Sequence, residues 1–233
     1  MALLAIGDLH LSLGTNKTME VFGDRWQNYT EKIRAGFQEF VKPEDTVVIC
    51  GDFSWGINLE EALPDLKFLE ALPGKKILIK GNHDYWWSSM KKVKDLLAAN
   101  EIGSITLLQN NSYTCDLERH AVSICGTRGW FIDEETGTEH DEKILPRECI
   151  RLEMSLQSAG SLEKYVFLHY PPLYKNYRCD EILSILKKYE IRHCCYGHIH
   201  AASFRGAYIG TMEQTDFRLV SADYLNFIPL RIG

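Results

Sequence analysis

The sequence predicts an α/β fold built on a mixed sheet or two packed sheets, and three observations carry that prediction. Apolar runs rich in β-branched residues recur along the chain, helical periods fall between several of them, and helical spacing stops after residue 202. A length of 233 residues, 45% hydrophobic and 25% charged, suits a globular chain that buries a full core without staples. Collagen, coiled coil and disorder are excluded.

The elements follow in order. Leu3 to Ile6 is the first buried strand. Trp26, Tyr29, Ile33, Phe37 and Phe40, spaced by three and four, give the first helix one apolar face. Thr46 to Cys50 is the second strand, and Leu59, Leu63, Leu66, Leu69 and Leu72 mark the next helix. Pro64 lacks a backbone donor, so that helix is expected to start or bend there. Lys76 to Ile79 is a strand. The helix marked by Trp86, Met90, Val93 and Leu97 follows it, with Lys91, Lys92 and Lys94 on its solvated face. Strands at Ile105 to Gln109 and Ala121 to Cys125 precede Asp133 to Glu142, where six acidic residues crowd around Gly137 in what reads as a solvated surface loop. Leu145, Cys149, Leu152 and Leu156 mark a helix, Tyr165 to His169 a strand, Ile182, Ile185, Leu186 and Tyr189 a helix, and His193 to Tyr196 a strand. Runs near Ala207, Phe217 to Ser221 and Phe227 to Ile232 are expected to close the fold as an antiparallel set. No linker or repeat interrupts this order, so residues 1–233 read as one domain.

With 26 Lys+Arg against 32 Asp+Glu the formal net charge is −6, which disfavours duplex nucleic acid as a partner. An anionic substrate must then be attracted locally. No stretch approaches a membrane span, and the apolar opening lacks the basic start of a secretory signal, so no membrane partner is expected. Seven cysteines without a C-x-x-C pair do not form a disulfide framework or zinc ribbon; they read as core residues of a chain in a reducing cytoplasm.

Five short clusters stand at or just beyond predicted strand ends: Gly7-Asp8-Leu9-His10, Gly51-Asp52, Gly81-Asn82-His83-Asp84, His169-Tyr170-Pro171-Pro172 and Gly197-His198-Ile199-His200. Five of the eight histidines fall inside them, which chance does not explain. In Asp8-Leu9-His10 and His198-Ile199-His200 the i, i+2 spacing puts both side chains on one side of an extended chain, where they can converge. Carboxylate and imidazole without thiolate suit divalent Mn, Fe or Zn. Asp8, His10, Asp52, Asn82, His169, His198 and His200 are seven candidate ligands, too many for one ion, and a shared carboxylate would give two four-coordinate sites.

In that order, D-x-H, G-D, G-N-H-D, H and G-H-x-H resemble the calcineurin-like metallophosphoesterase superfamily over residues 7 to 200. The strings Gly51-Asp52-Phe53-Ser54-Trp55, Gly81-Asn82-His83-Asp84-Tyr85-Trp86-Trp87 and Cys125-Gly126-Thr127-Arg128-Gly129-Trp130 are similar to a bacterial subgroup of phosphohydrolases without an assigned substrate. The resemblance implies a two-sheet α/β/β/α sandwich. It implies one ion on Asp8, His10, Asp52 and His200 and another on Asp52, Asn82, His169 and His198, with Asp52 bridging. It further implies a metal-bridging hydroxide as nucleophile and His83 as the general acid that contacts the substrate phosphate. Many protein phosphatases of the superfamily read G-D-x-x-D-R-G; Trp55 stands in place of the second Asp, which disfavours a phosphoprotein substrate and leaves His83 without an identified partner.

Around these motifs other roles stay open. Asp84 either orients a ligand or caps the following helix. Arg128 either faces a phosphate or makes a surface salt bridge. Trp55, Tyr85, Trp86, Trp87, Trp130 and Tyr170 either wall a substrate or pack as core. His120, His140 and His193 match no motif. The function expected is a binuclear metal-dependent hydrolase of phosphomonoester or phosphodiester bonds in a small phosphorylated substrate. A metal-dependent nuclease and a non-catalytic scaffold on the same fold are the alternatives.

Overall fold

The computed structural model describes residues 1–131 and 139–233, residues 139–142 by backbone alone. Thirteen strands are described: β1 Leu3–Ile6, β2 Thr46–Cys50, β3 Lys75–Ile79, β4 Ile105–Leu107, β5 Tyr113–Asp116, β6 Ala121–Thr127, β7 Glu163–Leu168, β8 Leu173–Tyr174, β9 Tyr177–Arg178, β10 His193–Tyr196, β11 Gly210–Met212, β12 Thr215–Leu219 and β13 Leu230–Arg231. The α-helices are α1 Tyr29–Phe40, α2 Leu59–Glu70, α3 Met90–Ala99, α4 Glu139–Ser158 and α5 Asp180–Lys188.

Two sheets carry the fold. One has the order β13-β1-β2-β3-β4, with β1 to β4 mutually parallel; the other has the order β11-β12-β10-β7-β6-β5, with β6, β7, β10 and β12 parallel. Alternation along each strand divides the core into layers. Leu4, Ile6, Val47, Ile49 and Leu78 face outward to Ile33, Phe37, Leu66, Leu69, Val93 and Leu97 of α1 to α3. Their strand neighbours Leu3, Ala5, Val48, Cys50, Ile77 and Ile79 pack on Val122, Ile124, Tyr165, Phe167 and Cys195 of the second sheet. Beyond it, Cys125, Val166, Leu168, Cys194 and Tyr196 meet Leu152, Leu156, Ile182 and Leu186 of α4 and α5. The result is the expected α/β/β/α sandwich.

Three expectations need correction. Helix α2 runs through Pro64 without starting there: Asn58 caps it by accepting from the N–H groups of Glu60 and Glu61, and a proline one turn in removes a single internal bond. The closing strands do not form one antiparallel set. β11 and β12 form a hairpin whose second strand lies parallel to β10, whereas β13 crosses to the other sheet and pairs antiparallel with β1. The acidic stretch Asp133 to Glu142 falls partly outside the described residues, and 139–142 form the start of α4, not a loop.

All seven cysteines are free, and six of them are buried. Lys91, Lys92 and Lys94 are solvent-exposed, and among the described residues no helix is long and apolar enough to cross a membrane.

Candidate metal centre

Every candidate ligand follows the C-terminal end of a parallel strand. Asp8 and His10 follow β1, Asp52 follows β2, Asn82 and His83 follow β3, His169 follows β7, and His198 and His200 follow β10. The two sheets therefore contribute to one edge. The chain turns off the strands through left-handed backbone at Asp8 (φ 57°), His10 (φ 46°), Asp52 (φ 49°) and His198 (φ 70°), a conformation that non-glycine residues hold only where surrounding bonds enforce it. Those bonds are present. Asp8 N–H donates to Gly51 O (2.9 Å), His10 N–H to Asp52 O (2.9 Å), and His198 N–H to the Asp8 carboxylate (2.9 and 3.1 Å), which ties one sheet to the other.

Two motif glycines owe their presence to close approach. A Cβ on Gly81 would lie 2.1 Å from Asp52 Oδ1, and one on Gly197 would lie 2.5 Å from Asp8 Oδ2.

The ligand atoms gather in two groups. Asp8, His10 and His200 each offer an atom within 4.8 Å of the others, and so do Asp52, His169 and His198. Asp52 Oδ2 lies 3.6 Å from His169 Nε2 and 3.8 Å from His10 Nε2, so this carboxylate faces both groups. Asn82 joins the second through Oδ1, 2.6 Å from His169 Nε2.

This donor set fits divalent cations. His169 Nδ1–H donates to Cys50 O (3.0 Å), which turns Nε2 toward the Asn82 and Asp52 oxygens, so that one ring nitrogen and two oxygens converge on a single point. In the other group His200 Nδ1–H donates to Asp223 (2.9 Å), while Nε2 lies 3.4 Å from His10 Nε2 and 3.6 Å from Asp8 Oδ1. His200 is pushed up to about 10 because Asp8 and Asp223 together outweigh its burial. A cation bound between these groups would compete with protonation of that ring.

Burial dominates elsewhere in the site. It pushes His198 down to about 3, with His169 adding, and it sets His10 well below the ordinary imidazole value, with His200 adding. Burial raises Asp52 to about 7, helped by Asp84 and Asp8 and opposed by His169. Burial would also raise Asp8, yet His200, His169 and His10 hold it below the ordinary carboxylate range.

His83 stands beside both groups. Its N–H donates to Asp52 Oδ1 (2.8 Å), its ring sits 4.7 Å from Trp55 and 5.8 Å from His10, and its buried Nδ1 has no hydrogen-bond partner among the described residues. Burial, with His169 adding, lowers its pKa.

The open roles now divide. Asp84 does not cap α3; Ser89 does. The buried Asp84 carboxylate instead accepts the N–H groups of Phe53 (2.9 Å), Ser54 (3.2 Å) and Gly81 (2.7 Å) and the Trp86 Nε1–H (2.9 Å), fastening the Asp52 loop to the Asn82 loop. Trp86 and Trp87 are core, whereas half-buried Trp55 stacks on His10 at 4.9 Å and Tyr85 is exposed. Tyr170 packs on His169 (5.1 Å) and His198 (4.4 Å). Arg128 lies over Trp130 (4.6 Å) with a guanidinium nitrogen 3.8 Å from buried Glu148, so its partner is not a surface carboxylate. His120 pairs with Glu163 at the surface, His193 packs on Tyr165, and the His140 side chain lies outside the described residues.

One residue escaped the sequence reading. Asp223, fully buried, accepts from His200 Nδ1 and from Ala201 N–H (3.2 Å), and so fixes the ring of a candidate ligand. It lies beyond the last motif in a run without periodicity; the only hint was its place two residues after the strand-like Phe217 to Ser221.

A family model described as calcineurin-like phosphoesterase matches residues 1–202. No curated protein matches the chain. Among solved structures, a phosphopantetheinyl hydrolase from Mycobacterium tuberculosis is similar with a TM-score of 0.64 at 12% identity, over 99% of this chain and 95% of that one. A protein of unknown function from Aquifex aeolicus is similar with a TM-score of 0.53 at 17% identity, again over 99% and 95%. At such identities the likeness is one of fold.

Proposed function

The chain belongs to the calcineurin-like phosphoesterase family, and from that premise we propose that it hydrolyses phosphomonoester or phosphodiester bonds of a small substrate at a centre of two divalent ions. Asp8, His10, Asp52 and His200 would hold one ion, and Asp52, Asn82, His169 and His198 the other. The observation that carries this reading is the pair of ligand groups, each within 4.8 Å, with Asp52 facing both. When bound, such ions supply positive charge to phosphoryl oxygens and make water nucleophilic at neutral pH.

The chain's own residues do the rest. The Cys50 carbonyl and Asp223 take the outward protons of His169 and His200, fixing which nitrogen each ring presents inward. Asp52 holds the His83 backbone through Oδ1, placing the imidazole beside the ligand groups without making it a ligand. The place of that ring beside both ligand groups supports His83 as the donor of a proton to the departing alkoxide. Burial keeps the ring neutral on its own, and an anionic phosphoryl group at hydrogen-bond distance acts in the opposite direction, favouring the protonated acid once substrate is present.

The test is elemental analysis combined with assays of metal-loaded protein on p-nitrophenyl phosphate, bis-p-nitrophenyl phosphate, cyclic nucleotides and single-stranded DNA. We expect two ions per chain, activity on small esters, and loss of both ions in Asp52→Asn. Metal-loaded protein inert on every ester would leave the scaffold reading, and activity confined to DNA would leave the nuclease.

A further inference from the structure

Lys80, Arg128 and Arg151 line a recess of about 50 Å³ together with Thr127 and Glu148, between the end of β3 in one sheet and the end of β6 in the other. Glu148 is fully buried and already spent. One of its oxygens takes the Arg151 guanidinium (2.6 Å) and lies 3.8 Å from that of Arg128, while the other accepts the Thr127 hydroxyl. Half-buried Lys80 has a single weak partner among the described residues, the Trp87 carbonyl at 3.4 Å. Three cations against Glu148 and the buried Asp84 carboxylate, which also acts on Lys80, leave a local charge of about +1 in a chain whose net charge is −6. Lys80 and Arg128 are partly desolvated while Arg151 is exposed, and partly desolvated cations in excess are costly unless an anion joins them. Burial lowers the Lys80 pKa, and the positive fields of Arg128 and Arg151 lower it further against the opposing pull of Asp84 and Glu148, so the three cations share one field.

The backbone links the recess to the candidate metal centre. Lys80 precedes Asn82 by two residues, and the Arg128 carbonyl accepts the N–H groups of His169 (3.1 Å) and Tyr170 (2.9 Å). We infer that this recess binds a small oxyanion, and that the substrate carries a second acidic group, a further phosphate or a carboxylate, which docks here while the ester phosphate occupies the metal centre. The volume admits one such group and no ring. Guanidinium forks and an ammonium are the donors that suit it. The part of the inference that concerns substrate rests on the phosphoesterase reading; the anion site does not.

Two arms test it. In the first, metal-stripped protein is titrated with inorganic phosphate by calorimetry. Saturable binding is expected, weakened tenfold or more in both Lys80→Gln and Arg151→Gln and retained in Lys187→Gln, a surface variant away from the recess. No binding, or equal binding in all four proteins, would overturn the site. Circular dichroism and melting temperature confirm that each variant is folded, and the two recess variants act on different elements, so one can fail without losing the test.

In the second arm, metal-loaded protein is assayed on glycerol 3-phosphate, 3-phosphoglycerate and 2,3-bisphosphoglycerate. The kcat/KM for the esters with a second anion should exceed that for glycerol 3-phosphate, and the ratio should fall at least tenfold in Lys80→Gln. A preference for 2,3-bisphosphoglycerate alone identifies the second group as phosphate, whereas a preference for both esters points to the carboxylate they share. A ratio near one in the wild type, or a ratio unmoved by the substitution, would overturn the substrate inference. Phosphate binding to the stripped protein without hydrolysis of any ester would fault the phosphoesterase reading and leave the anion site standing.

Discussion

His83 is the residue at which chemistry can be separated from metal binding. Its ring touches the ligand groups from outside, and only its backbone is tied to Asp52. His83→Ala should therefore keep both ions and lower kcat about a hundredfold or more on an alkyl ester, the usual scale for a general acid, with a far smaller loss on p-nitrophenyl phosphate, whose leaving group barely needs a proton. Equal losses on the two esters would mean that the ring stabilises charge instead of giving up a proton. Asp223 makes the complementary case. Among the described residues His200 is the candidate ligand it hydrogen-bonds, and it orients that ring. Asp223→Asn keeps an acceptor but removes the charge, so affinity at the Asp8 group should fall about 10–100-fold while the Asp52 group keeps its ion. Metal titration followed by anomalous scattering distinguishes the two positions; equal loss from both would show that Asp223 supports the whole edge. The five motif clusters were legible because metal chemistry restricts residue type and strand ends restrict position. Asp223 was not, and Asp84 was left between two roles, because a carboxylate that accepts backbone or ring N–H groups has no spacing of its own.

Among the elements, α2 shows how a helix can hold loops it does not adjoin. Asp65, fully buried on that helix, accepts Leu13 N–H (2.8 Å) from the segment after His10 and the Ser54 hydroxyl from the segment after Asp52. Burial pushes its carboxyl up to about 6 from 3.8, against the pull of those two hydrogen bonds. A carboxyl with a raised folded-state pKa contributes stability that is fully present below about 4 and is lost as pH rises through about 6. Urea midpoints measured from pH 4 to 7 for the wild type and Asp65→Asn should therefore diverge, with the wild type losing up to about 3 kcal/mol relative to the variant across that window, a little over two units at 1.36 kcal/mol each. Parallel curves would mean the group is solvated. Helices and central strands were readable because period and burial coincide: the stripe Tyr29, Ile33 and Phe37 lies inward as spaced. β5, paired with β6, was missed because its burial alternates with exposed Thr114 and Asp116 in a short run of low hydrophobicity. Pro64 misled because one lost bond weighs little against a capped helix that buries Leu66 and Leu69.

At the scale of the molecule, strand and helix patterns left a mixed sheet and two packed sheets open, the resemblance alone implied two, and neither told how the chain's end is shared between them. β12 and β13 are too short for their patterns to name a partner, and pairing is settled by which edge lies open. Charge raises the last question. The chain carries −6 overall, yet its reading as a phosphoesterase requires it to attract anions. If a positive surface did the recruiting, each phosphate contact would release counterions, and affinity would fall steeply with salt, by orders of magnitude between about 50 and 200 mM for a binder with several contacts. Here the candidate attractors are the ligand groups and the cations of the adjoining recess, where the burial of Lys80 and Arg128, though not of exposed Arg151, shields charge from added ions. The KM for a small phosphoester should therefore rise no more than a few-fold over that salt range, with kcat constant, and phosphate binding to the metal-stripped protein should weaken by at most a similar factor. A double-logarithmic plot of affinity against salt with a slope beyond about −3 would require several exposed phosphate contacts. That outcome would move recognition from the strand-end edge to the outer surface and restore a nucleic-acid substrate.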